Sequence, residues 1–186
     1  MEGMPERSKP HREMYDEHLS KLDAHLRSAN LPTKQAKRYR SAALRVLNGM
    51  TEQGITRLRG NLTAYYFYPN PEALEAEGRR ETAGFYRPSN GSIHLDGGEG
   101  DESIPNTYAH EYAHALDGPD DEISGSEAWQ EAWREEMVEE GAVSDAAAVS
   151  AEEGWAELGE LMLRGRRDEA REMCPKCVQI WEGLGL

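Results

Sequence analysis

Cysteine is nearly absent from this chain: two residues among 186, both in the segment CPKC (Cys174, Cys177). Two cysteines cannot build a disulfide framework, and half a zinc ribbon needs a second pair that the sequence does not supply. They are expected as thiols on a C-terminal helix. Long apolar runs are missing too. No stretch approaches the roughly 18 consecutive apolar residues of a membrane span, so no membrane partner is expected. The opening segment MEGMPERSKPHRE has no apolar core of the kind that marks a secretory signal, which points to a cytoplasmic location.

Basic charge is scarce where acidic charge is dense. Between Asp96 and Leu163 there are 20 Asp and Glu against one cation, Arg134, a net of −19. Residues 1–60 carry 12 Lys and Arg against 7 Asp and Glu, a net of +5. The acidic half repels nucleic-acid backbones and favours neutral or basic ligands, so no nucleic-acid partner is expected. With 38% hydrophobic and 30% charged residues, the chain is a polar globular protein long enough for one domain with a core.

The pattern of elements divides in two. Residues 11–29 spell a helix with Tyr15, Leu19, Leu22, Leu26 and Ala29 on one stripe. His11, His18 and His25 recur along it about 10 Å apart, too far to share one metal, and are expected at its boundary. A second helix runs from Thr33 to Asn48 and stops at Gly49, which completes an N-terminal hairpin. NLTAYYFYPNP then reads as a strand and EALEAEG as a short helix. GFYRPSNGSIHLDGG holds two strands about a tight turn at Asn90-Gly91, with Ile93 and Leu95 on one face and His94 on the other. Helices follow at 103–118, 126–140 (Trp129, Ala132, Trp133, Met137 buried) and 150–163 (Trp155, Leu158, Met162 buried). A last one carries Cys177, Ile180 and Trp181.

The first of these C-terminal helices contains TYAHEYAHALDGP. His110 and His114 stand one turn apart and point the same way, near enough to hold one ion, with Glu111 beside them. Zinc would acidify a water there, and the glutamate could take its proton. The alternative is a pair of histidines making ordinary hydrogen bonds. A catalytic zinc needs a third protein ligand and one open position. Asp120 lies six residues past His114, but Asp117 occupies the place where that pattern needs a glycine. Glu135 or Glu136 sits about twenty residues on, among other acids that look like a solvated face. Glu153, Glu157 and Glu160 form one stripe of like charge, mildly self-repelling by a few tenths of a kcal/mol per pair, which suits a cation better than water. Against that, Ser150-x-x-Glu153 is also a capping box.

HEYAHALD, SEAWQEAW and EEGWAE together resemble the lethal-factor-like zincin metallopeptidases, a group that includes the anthrax lethal factor catalytic domain, the Pro-Pro endopeptidases and the Mlc titration factor A peptidases. The resemblance covers about Phe85 to Leu163. It implies an α+β zincin-like fold: a small twisted sheet, the HExxH helix and a mostly helical C-terminal half, to which the sequence adds the helical hairpin. The N-terminal hairpin matches nothing in that group, and the expected division is 1–52 for this extension and 53–186 for the catalytic domain. It implies one catalytic Zn2+ held by His110, His114 and Glu153, with Glu111 as base, Glu157 and Asp117 orienting ligands, and peptide or protein as substrate. An extended substrate would pair with a strand beside the metal, and Ser92, Ile93, His94 and Leu95 are the expected strand. The acidic loop from Asp96 to Glu102 is expected as a solvated rim.

One departure stands out. The group carries a tyrosine seven residues before the third ligand, and that position here is Ala146. Losing that hydroxyl lowers transition-state stabilisation by roughly 3 kcal/mol, unless His94, Tyr108 or Tyr86 substitutes. A catalytically weak or inactive zinc-binding module acting in protein binding is therefore the competing expectation.

Overall fold

The computed structural model describes residues 9–75, 83–96, 103–118 and 122–186. Asp120 and all of the acidic loop except Asp96 lie outside the described residues. The described residues are mostly helical with one small mixed sheet. In order it forms α1 (Lys9–Ser28), α2 (Thr33–Gly49), α3 (Glu52–Asn61), β1 (Ala64–Phe67), α4 (Pro71–Glu75), β2 (Gly84–Arg87) and β3 (Ser92–Leu95). Then come α5 (Ile104–Asp117), α6 (Glu127–Trp133), α7 (Ala151–Leu163), α8 (Arg167–Met173) and α9 (Pro175–Gly183).

Helix α3 was not anticipated. Thr51 caps it, its hydroxyl accepting from Gly54 N at 3.0 Å, and Ile55 and Leu58 bury its inner face. The two glycines in its ten residues obscured the periodicity. The expected helix 126–140 is interrupted: α6 gives way to a π-helical turn, Arg134–Glu139, whose wider step turns both Glu136 and Met137 inward. Glu136 accepts from the Lys176 and Cys177 amides at 2.9 and 3.0 Å, and so caps the N-terminus of α9. Glu135 pairs with Lys176. Neither glutamate is a metal ligand. Burial of the two thiols pushes Cys174 up to about 12 and Cys177 higher still, so both are inert packing groups.

The sheet has the order β1-β3-β2, parallel between β1 and β3 and antiparallel between β2 and β3. The antiparallel pair was expected, but its turn is longer than two residues. Arg87 pairs with Ser92, and the link is a 3-10 turn over Pro88–Asn90 closed by Gly91 at φ 61°. Proline at the start of the turn suits that geometry, and only glycine fits at 91, where a Cβ would lie 2.4 Å from Asn61 O. Strand β3 is therefore central. Both of its edges are paired, so Ser92–Leu95 cannot receive a peptide main chain, which corrects the expected substrate strand.

Helix α5 runs through the middle of the core, with Tyr108, Ala109, Tyr112, Ala113 and Leu116 fully buried. One continuous apolar cluster joins it to the N-terminal helices, the sheet and the C-terminal helices. A buried polar chain ties α1 to it: His18 Nε2 lies 2.5 Å from the Tyr65 hydroxyl, which lies 2.7 Å from that of Tyr112. His18 is thus buried instead of at a boundary, and burial, with Lys21 nearby, pushes its pKa down to about 4. On the other side, Trp155 stacks on Trp181 at 4.5 Å and meets Trp129 edge-on at 5.2 Å. The Trp155 indole N–H donates to Ala113 O at 2.7 Å, which fixes α7 against α5. Gly159 completes that contact, because a Cβ there would fall 2.2 Å from the Ala113 Cβ.

Candidate metal centre

The close approach of α7 to α5 sets two imidazoles opposite a row of carboxylates. His110 Nε2 lies 3.3 Å from Glu153 Oε2, and His114 Nε2 lies 3.7 Å from Glu153 Oε1. The two rings stand 4.9 Å apart, and the three donor atoms lie within 4.8 Å of one another. The other nitrogen of His110, Nδ1, faces Glu157 Oε1 at 3.4 Å. Glu157 Oε2 accepts from the Ser144 hydroxyl at 2.8 Å. His110, Glu157 and Glu160 form a second such grouping on the same helix pair.

These residues fit a zinc ion. Tetrahedral ligands at about 2.1 Å from zinc lie about 3.4 Å from each other, and nitrogen with carboxylate oxygen is a donor set zinc accepts. The imidazole–carboxylate separations, 3.3 Å to Oε2 and 3.7 Å to Oε1, are of that size, one Glu153 oxygen facing each ring. The electrostatics agree. Burial acts to lower the His110 pKa, but its hydrogen bonds to Glu153 and Glu157 outweigh burial and raise it to about 10. Glu157 is held below the usual carboxylate range chiefly by the His110 hydrogen bond. A cluster that draws a proton so strongly onto an imidazole is one that draws a cation.

The centre opens into a cleft of about 400 Å³. Phe85, Tyr86 and Pro88 line it from β2 and the turn after it, Ser150 and Glu152 from the start of α7, and Glu111 from beside the histidines. Glu111 is itself only 4% exposed. The fold has a solved counterpart. A Pro-Pro endopeptidase from Paenibacillus alvei has a TM-score of 0.57 to this chain at 16% identity, over 86% of this chain and 99% of its own. Likeness at that identity is likeness of fold. No protein-family model matches the chain, and no curated protein sequence does.

The geometry decides several alternatives. The Ser150 hydroxyl caps α7, accepting from Glu153 N at 3.3 Å, while the Glu153 carboxylate faces the imidazoles, so the cap leaves that carboxylate turned to the histidines. Asp117 does not orient a metal ligand. Its Oδ1 accepts from the Ile123 and Ser124 amides, each at 2.8 Å, and its Oδ2 from the Ser124 hydroxyl at 2.5 Å. It anchors the segment after α5, and burial raises its pKa. Asn61 donates to Ala115 O at 2.8 Å, and Arg57 binds Leu116 O and Asp117 O, so α3 holds the carbonyl end of the same helix.

None of the three substitutes considered for the missing tyrosine has a donor directed into the cleft by the contacts seen. His94 is sandwiched between Phe85 and Tyr66, at 4.4 and 4.7 Å, with its nitrogens against Tyr68 and Ser92. Tyr108 is fully buried, packed on Tyr39 and Tyr112. Tyr86 lines the cleft but donates its hydroxyl to Asn61 O at 3.0 Å. Ala146 is exposed, in the turn before α7. Ser144, Glu152, Arg57 and Asn61 were missed. Nothing in their local sequence separates them from ordinary polar residues of turns and helix faces.

Proposed function

We propose that this chain is a zinc-dependent metallopeptidase of the zincin kind, with one catalytic ion held by His110, His114 and Glu153. The observation that carries the reading is the convergence of these three donors in one cleft with Glu111 beside them. The fold of the Pro-Pro endopeptidase supports it. The substrate is a peptide or protein. When bound, the zinc polarises the peptide carbonyl and lowers the pKa of water. Glu111 takes the proton from the attacking water and passes it to the leaving amine. Glu157 holds the proton of His110 Nδ1 and so keeps Nε2 directed to the ion. An extended substrate lies along the wall made by β2, through Phe85 and Tyr86, in place of β3. Residues 53–186 carry the chemistry, and the helices of 1–52 brace the rear of α5. No helix of the described residues is long and apolar enough to cross a membrane, and a cytoplasmic setting suits the two free thiols.

The test is removal and return of the metal. Chelated protein is expected to lose cleavage of a peptide library and to recover it with one equivalent of zinc. A chelated protein that cleaves at the parent rate contradicts the proposal.

A second reading is favoured by one observation, the exposed alanine at 146: a zinc-binding module with little or no turnover. Ala146→Tyr separates the two. A weak enzyme gains up to about two orders of magnitude in kcat from the added hydroxyl. A binding module gains nothing with any peptide, while its zinc content stays the same.

A further inference from the structure

The segment between the π-helical turn and α7 contains an unexpected backbone conformation. Val143 has φ 75°, and Ser144 N donates to Ala142 O at 3.1 Å across it. This is a γ-turn with positive φ at its centre, a rare and strained form, and here it is centred on a β-branched residue. Such strain persists only where the surroundings over-determine it, and it gathers at functional sites. The residue that the turn delivers is Ser144.

The Ser144 hydroxyl is fixed from two sides. Its oxygen accepts from Ala147 N at 3.1 Å, and its proton goes to Glu157 Oε2 at 2.8 Å. The other oxygen of the same carboxylate faces His110 Nδ1 at 3.4 Å. Ala147, the donor to that hydroxyl, is itself clamped: Trp133 Nε1 donates to Ala147 O at 2.8 Å. Trp133 in turn lies over Gly154, where a Cβ would come within 2.5 Å of the indole. A continuous set of contacts therefore runs from Trp133 of α6 through Ala147, Ser144 and Glu157 to the imidazole of His110.

We propose that Ser144 is a positioning residue for the metal centre: it orients Glu157 so that His110 Nδ1 keeps its proton and Nε2 faces the cation. This rests on the zinc reading above and adds to it a residue that no motif contains. The strained turn is the means by which a short hydroxyl reaches that carboxylate.

A double-mutant cycle on zinc affinity tests this, read by competition with a chromophoric chelator. Ser144→Ala is expected to weaken zinc binding by about 10–100-fold, the size usual for loss of a group that orients a ligand. In a Glu157→Ala background the same change is expected to have almost no effect, because its partner is gone. Ser144→Thr, which keeps the hydroxyl, is expected to restore affinity. The unfolding midpoint of the metal-free protein should fall slightly on Ser144→Ala, from loss of the acceptor for the Ala147 amide, and by about the same amount with Glu157→Ala present. An equal loss of zinc affinity in both backgrounds, or a zinc-binding parent indifferent to Ser144→Ala, overturns the positioning role and leaves the zinc reading standing. A parent that takes up no zinc overturns both.

Discussion

Glu111→Gln is expected to keep one zinc per chain and to lower peptide hydrolysis by about 10²–10⁴-fold. The substitution is nearly isosteric, so the packing of a side chain that is 4% exposed survives it. What disappears is a base within the cleft, beside the two imidazoles, that can take a proton from water. The donors assigned to the ion are on His110, His114 and Glu153, and none of them changes. Steady-state hydrolysis and zinc content measured on the same preparation check it. Parent-like turnover with zinc retained would remove Glu111 from the reaction.

The second large effect is structural. Gly159→Val is expected to destabilise the metal-free protein by about 1–3 kcal/mol, the usual cost of overpacking a core, and to weaken zinc binding as well. Helix propensity alone predicts the opposite sign, because glycine is the poorer helix former. Packing wins here: a Cβ at 159 falls 2.2 Å from the Ala113 Cβ and 2.9 Å from the Trp181 ring. Relief requires α7 to move away from α5, and α7 carries Glu153 and Glu157. Denaturant unfolding and zinc titration together check it. A variant as stable as the parent with unchanged affinity would show that the two helices can separate without disturbing the centre.

Much of this was legible in the residues themselves. His110, Glu111 and His114 are one turn of one helix, so their relation follows from the helical repeat alone. The approach of Glu153 to the histidines was legible because three glutamates on one stripe suit a cationic partner better than water, and the same residue also answers to a capping pattern. The cap does not compete with the cluster, since the Glu153 backbone amide donates to the Ser150 hydroxyl while the side chain turns to the imidazoles. Non-local features were not legible. Alternation placed His94 correctly on the face of β3 opposite Ile93, but it could not show that β1 pairs with β3 in parallel and closes its second edge. Asp117 belongs to the motif in sequence, yet its hydrogen bonds run forward to Ile123 and Ser124. Glu136 looked like part of a solvated face until a π-helical turn rotated it towards α9. Ser144 depends on a strained turn that no local propensity favours.

The centre stands or falls on whether Glu153 shares an ion with the two histidines. The direct measurement is zinc content by native mass spectrometry of the parent and of Glu153→Ala, prepared side by side. The account expects one zinc in the parent and almost none in the variant, with both folded. A parent without zinc, or a variant holding as much as the parent, would contradict it.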